Sequence, residues 1–361
     1  MTRNDRLRIL YVSYPLLPVS DESAGGAEQM LCILEREMHA RGHLTTVAAC
    51  EGSRVAAQLL STGAAASDPD RFEERDREHT AKIIDLIRDV QRRGDGFDLV
   101  HDKSGHFFKY ASAIPAPVLA TLHLPPQLYD GNAFSEIPGN VSFNCVSQSQ
   151  LHAFTHLPRM QRLIENGIDV SRFPFCTTNR DYLLWMGRIC EEKGTHVAID
   201  VAEQAGLPLI IVGQVYPFSY HQQYFAREVA PRIERARVKV QFIQKPSFTE
   251  KLNLLQNARA LLIPALIDET SSLVGMEAMA CGTPVLAFRR GALPEVVSDK
   301  LTGFIVDSPA EMAEATKGVN DISPEQCRAR VEQLFDSRRM AAEYENLYRC
   351  ILGKKADTKA A

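Results

Sequence analysis

The feature that most limits how this chain can fold is its alternation of short apolar runs with longer runs of helical spacing. "LRILYVSY" reads as a strand, and "AEQMLCILEREMHARGH" follows with Ala27, Met30, Leu31, Leu34 and Met38 on one helical face. Gly42 is placed to stop that helix, and "LTTVAAC" supplies the next strand. Strand, crossover helix and strand make one βαβ unit, and repeating it builds a parallel sheet covered on both faces. Further strands are expected at "FDLVHD", "PVLATLH" and "FNCVSQ", with a helix over 72–93. After "IENGIDVSRFPFCTTNRD" the pattern restarts: "YLLWMGR", "LPLIIVG", "VKVQFIQ", "RALLIPAL", "TPVLAF" and "GFIVD" are strands with helices between them. A chain of 361 residues is also long for a single core. The reading is therefore an α/β chain of two domains, 1–170 and 171–336. A last helix and a polar, frayed tail fill 337–361.

Charge and cysteine usage remove several function classes. With a net charge of −4 and no Lys/Arg block, no nucleic-acid footprint is expected. No apolar run reaches the roughly 20 residues of a membrane span. The 72–93 helix has mixed charges and no basic amphipathic face, which leaves at most peripheral membrane contact. "MTRNDRLRILYVSY" enters a strand without the apolar region of a signal peptide. The eight cysteines show no C-x-x-C and no Cys/His ligand spacing. Reduced, structural thiols, no metal site and a cytoplasmic location are the expectations.

The stretch "IDETSSLVGMEAMACGTPV" carries the most chemistry. Glu269 falls just past an apolar strand expected to end near Ile267, and a helix is predicted over 271–282 with Ser271 or Ser272 as its N-cap. The N–H groups from Ser272 through Leu273 and Val274 to Gly275 suit an anion such as pyrophosphate. Glu277, one turn further on, can accept hydrogen bonds from a diol such as ribose. The alternative is a capped helix with Glu277 as a solvated residue. In "WMGRICEEKG", Arg188 follows a strand and Lys193 precedes the next helix, so both can neutralise a diphosphate. A surface loop balanced by Glu191 and Glu192 is the alternative.

Weaker signals lie in the first half. Gly25 and Gly26 of "SAGGAEQ" open the first long helix and permit close backbone approach, although G-x-G-x-x-G is missing. His123, at a strand end in "VLATLHLPP", can bond a substrate hydroxyl or serve structure. "HDKSGH" (His101, Asp102, His106) reads as an acid/base cluster or as a polar strand-end loop. Asp68 and Asp70 of "DPD" mimic a metal-binding D-x-D but sit in a polar turn, and Ser13, Ser104 and Ser147 lack G-x-S-x-G context.

Taken in order, these segments resemble the retaining family 4 glycosyltransferases (glycosyl transferases group 1) over about residues 7–352. "GGAEQMLCILEREMHARGH" resembles that family's first helix, and "FDLVHDKS" and "TLH" its middle strands. "IENGIDVSRF" resembles its N-G-I-D-x-x-x-F segment and "GRICEEKG" its G-R-x-x-x-x-K-G loop. "ETSSLVGMEAMACGTPV" with "GALPEVVSDKLTGFIV" resembles its E-x7-E region. The resemblance implies the GT-B fold, two Rossmann-like domains facing across a cleft, with the acceptor on the first, the donor on the second, and a last helix that crosses back. It implies a nucleotide-diphosphate sugar as donor, UDP-glucose as the commonest choice, and a small-molecule or glycan acceptor. Transfer of the hexosyl unit would proceed with retention, without a metal or other cofactor, by front-face attack assisted by the leaving diphosphate. By the same resemblance Arg188 and Lys193 hold the diphosphate, Glu277 the ribose and Glu269 the donor sugar. Gly26 approaches the phosphates, and His123 bonds the sugar near the reacting carbon. Ser271 and Ser272 replace the family's Phe-Gly in E-x-F-G, which bears on sugar choice. Tyr14, Glu22, Asp102 and the 124–139 loop with Tyr129 are candidates for the acceptor side. Competing readings are an epimerase or hydrolase of the same fold, and a non-catalytic nucleotide-sugar-binding protein.

Overall fold

The computed structural model describes residues 6–23, 25–65, 72–177 and 181–354. Asp68, Asp70 and the tail beyond 354 lie outside the described residues. The chain divides into two compact units, one of Met1–Gly167 with Ser337–Ala361 and one of Ile168–Asp336.

The first unit is built on β1 (Arg8–Val12), β2 (Leu44–Ala49), β3 (Gln58–Ser61), β4 (Leu99–Asp102), β5 (Val118–Thr121) and β6 (Val141–Asn144). These form one sheet of order β3-β2-β1-β4-β5-β6, parallel throughout. Its helices include α1 (Gly26–Ala40), α2 (Phe72–Arg92) and α3 (Gln148–Ala153). The inner strands are buried on both faces, so their sequences read as continuous apolar runs rather than alternating ones. Ile83 and Ile87 of α2 pack with Leu10, Val12, Val100 and Val118 on one side. Helix α1 ends as its glycine requires: Gly42 takes φ +90°, and the His43 N–H returns to the Met38 carbonyl at 3.2 Å. β3, short and polar at its ends, is an edge strand that the apolar pattern does not announce.

The second unit carries β7 (Tyr182–Arg188), α4 (Thr195–Ala205), β8 (Leu209–Gln214), α5 (Ser219–Tyr224), α6 (Ala230–Arg235), β9 (Val240–Ile243), α7 (Phe248–Asn257) and β10 (Ala258–Ile263). It continues with α8 (Leu273–Ala280), β11 (Val285–Phe288), α9 (Leu293–Val296), β12 (Gly303–Val306), α10 (Pro309–Ala315) and α11 (Pro324–Leu334). The sheet order is β12-β11-β10-β7-β8-β9, again all parallel. The strand expected to run to Ile267 stops at Ile263, because the next residue, Pro264, has no N–H for the ladder. The helix expected over 271–282 is shorter at both ends. Ser272 is its extended N-cap, and the chain leaves it at Cys281 and Gly282, the latter at φ +84°.

Helix α12 (Ser337–Ile351) belongs to the first unit and is bonded there along its length. Ser337 Oγ donates to Glu37 at 2.9 Å, Arg339 pairs with Glu165 at 2.8 Å, and Arg41 with Glu345 at 3.3 Å. Glu345 also lies 3.3 Å from His43 Nε2. The bond from His43 and then that from Arg349 pull its carboxyl down to about 2. Among the described residues no helix is long and apolar enough to cross a membrane.

Candidate functional site

The loop after β7 and the loop after β10 are locked together in the second unit. Gly194 adopts φ +67°, and a Cβ there would run into the Pro264 carbonyl, so only glycine permits this approach. The Leu266 N–H donates to the Glu192 carbonyl at 2.9 Å, and Trp185 Nε1 to the Lys193 carbonyl at 3.2 Å. This places Lys193 at the carboxyl end of β10, with Nζ 2.5 Å from Glu269 Oε1. Glu269 is fixed from its other side. Its carbonyl accepts from the Ala292 N–H at 2.7 Å, and a side chain on Gly291 would strike its backbone. Both members of the pair keep some exposure, 27% for Lys193 and 12% for Glu269. Each charge is therefore balanced yet exchangeable for a ligand group.

Helix α8 begins four residues after Glu269. The Ser272 hydroxyl accepts from the Gly275 N–H at 3.3 Å, so Gly275, predicted to offer a free donor, is already used. The N–H groups of Leu273 and Val274 have no intrahelical acceptor. Glu277 is buried, which removes the solvated alternative, and its Oε1 lies 2.6 Å from Lys251 Nζ of α7. Lys251 was not legible in the sequence, because its meeting with Glu277 is purely tertiary. Arg188 is exposed at the end of β7, in register with Gln214. Its charge acts on Cys190, Tyr220 and His221.

In the first unit the candidates divide. Tyr14, Tyr129 and Asp102 come together closely enough that their charges oppose one another's ionisation; burial, the larger cause, raises the pKa of both phenols. The Asp102 carboxylate, however, is committed to its own loop. It accepts from the Ser104 N–H and hydroxyl at 2.8 and 2.6 Å, the Gly105 N–H at 3.1 Å and the Phe108 N–H at 2.8 Å. His101 likewise serves structure. Tyr348 donates to its Nδ1 at 2.6 Å, and its Nε2 donates to Thr121 Oγ1 at 2.7 Å, which itself donates to Asn144. His106 Nδ1 lies 3.1 Å from Asp76, so no acid/base cluster forms from "HDKSGH". Gly25 is the N-cap of α1 and Gly26 its first residue, and the Glu28 carboxylate sits where a Gly25 side chain would go.

His123 follows β5, and its imidazole is held neutral by burial and then by the charge of Lys103. Lys103 is a residue that the sequence reading passed over. It is 1% exposed and follows β4. Its Nζ has no hydrogen-bond partner among the described residues and lies 5.1 Å from the Tyr344 ring. Burial brings its pKa down to about 7, against the opposing pull of Asp102.

Two Rossmann-like parallel sheets, with cations and carboxylates gathered at strand ends of the second, define the GT-B class of fold. Residues 171–341 match the family described as glycosyl transferases group 1. The glycogen synthase of Mycobacterium tuberculosis (strain ATCC 25618 / H37Rv) is 29% identical over 192 residues, 51% of this chain and 44% of the relative. The match thus spans less than half of that curated relative. Among solved structures, sucrose-phosphate synthase from Thermosynechococcus elongatus aligns with a TM-score of 0.78 at 18% identity, over 96% of this chain and 100% of that one. Anabaena HepE in complex with UDP-glucose aligns at 0.72 and 17%, over 94% and 98%.

Proposed function

We propose that the chain is a retaining family 4 hexosyltransferase. It takes its sugar from a nucleotide-diphosphate donor of the UDP-glucose kind and passes it to a hydroxyl of a small molecule or glycan, with no metal at the diphosphate. The observation that carries this reading is the Lys193–Glu269 pair beside the open N–H groups of α8. An arriving diphosphate takes Lys193, Arg188 and the N–H groups of Leu273 and Val274, where two cations and a helix N-terminus meet its charge. Glu269, released from Lys193, turns to the hydroxyls of the sugar. Glu277, steadied by Lys251, takes the ribose diol. The same cations stabilise the diphosphate as it leaves, where charge develops in the transition state. An acceptor hydroxyl attacking from the face of departure gives its proton to the leaving phosphate oxygen, and the configuration is retained.

His123, Gly25 and Gly26 keep the roles that the family resemblance gives them, with Tyr14 and Tyr129 on the acceptor side. Support comes from the family match over the donor-binding unit and from HepE having been solved with UDP-glucose. Eight free thiols fit a reducing compartment, the cytoplasm. The test is calorimetric titration of UDP, GDP, TDP and ADP in chelator, followed by the sugar conjugates of the tightest. One tight nucleotide supports the reading. Binding by none of the four would overturn it.

A further inference from the structure

Outside the Lys193–Glu269 pair, the loop after β7 holds a second constellation. Cys190, Glu192 and His221 present a sulfur, a carboxylate oxygen and a ring nitrogen that all lie within 4.8 Å of one another. Cys190 and His221 are both fully buried. Among the described residues neither nitrogen of His221 has a hydrogen-bond partner, although an unsatisfied buried donor or acceptor costs about 1–3 kcal/mol. The imidazole is held in this orientation by the rings of Tyr216, Phe218 and Tyr220, with centroids at 6.0, 5.4 and 4.2 Å. Its nitrogens are closed to water, but an ion bonded at about 2.0–2.3 Å fits between donors spaced in this way.

We propose that Cys190, Glu192 and His221 form a transition-metal site, best suited to Zn²⁺. Thiolate, carboxylate and imidazole are the zinc donor types, and three protein ligands leave a fourth position for water. On binding, the Cys190 thiol gives up its proton to solvent and the sulfur bonds the metal. Thiolate and carboxylate together neutralise the dication, so the nearby charge of Arg188 is not opposed by a net positive site. The ion ties the turn Glu191–Lys193 to α5, which carries His221. It thereby fastens the backbone that presents Arg188 and Lys193. Glu192 and His221 stand 29 positions apart, so ligand spacing gives no warning of the site.

The inference stands apart from the donor reading, because its test uses no nucleotide. The full chain, stripped with chelator, is titrated with Co²⁺ alone and then with Zn²⁺ in competition. One Co²⁺ per chain, with a sulfur-to-cobalt charge-transfer band that Zn²⁺ abolishes, is the expected result. Cys190→Ser should remove the band, and His221→Ala should weaken cobalt binding by more than about tenfold. No band at saturating cobalt, or a band unchanged in Cys190→Ser, would overturn the proposal. Should a variant fail to fold, X-ray absorption on the zinc-loaded wild-type chain decides: one sulfur beside nitrogen and oxygen supports the site, and a shell without sulfur refutes it. Repeating the nucleotide titration on zinc-loaded chain keeps the two readings separable.

Discussion

In the second unit, Glu269 and Glu277 each meet an ammonium group that keeps some contact with solvent. The first unit treats its polar groups differently. There His101 is enclosed in a relay from Tyr11 through Tyr348 to Thr121 and Asn144, and Asp102 is consumed by backbone N–H groups. Partners in the first arrangement can be traded for a ligand, since each ammonium group is partly exposed and an arriving group can take its place. In the second, every partner is spent on the fold, and removing one leaves an unsatisfied buried group. Lys103 is an exception within the first unit, buried like its neighbours but with no hydrogen-bond partner for Nζ among the described residues.

The contrast can be broken most sharply at Glu269. Glu269→Ala should lower kcat by about 10²–10³ while the affinity for nucleoside diphosphate changes little, since the proposed role of the group is on the transferring sugar. A loss confined to affinity would reverse the assignment. For stability the test is Lys103→Met. The folded pKa lies near 7 against an ordinary 10.5, so the folded state bears the cost of a buried charge at and below pH 7. That cost disappears as pH rises from about 7 to 10.5. The variant should therefore be more stable than the parent by roughly 5 kcal/mol near pH 6 and equal to it above pH 10.5. Equal stability at both pH values would show that the ammonium group is satisfied. Lys193→Ala should weaken binding of the diphosphate by roughly 10–100-fold, read by calorimetry. Unchanged affinity would remove it from the site. The smallest effect is expected at Ser272→Gly, where loss of the cap costs a few tenths of a kcal/mol. The fold stays intact while the ranking of donors by kcat/KM changes, and an unaltered ranking would detach this position from sugar choice.

Most strands were legible because burial on both faces writes itself into sequence as uninterrupted apolar runs; "RILYV" and "ARALLI" need no partner to be recognised. β3 escaped because an edge strand of four residues with polar ends carries no such signature. At the site, Glu269 and Lys193 were accessible as a charge pattern at strand ends. Lys251, Lys103 and His221 were not, since what distinguishes them is the neighbour that folding supplies. The relay at His101 spans 247 positions to Tyr348, a separation over which no local pattern operates.

The return of α12 to the first unit has a consequence for biosynthesis. Ile168–Asp336 is one uninterrupted stretch, so the second unit has all of its residues as soon as Asp336 leaves the ribosome. The first unit, although translated earlier, still lacks the phenol that completes His101 and the carboxylate that meets Arg41 and His43. His101 Nδ1 lacks its partner, although Nε2 already has Thr121, while about half the chain is made. The part that is begun first is thus the part that is finished last, and a nascent chain halted before α12 would expose that gap to chaperones and proteases.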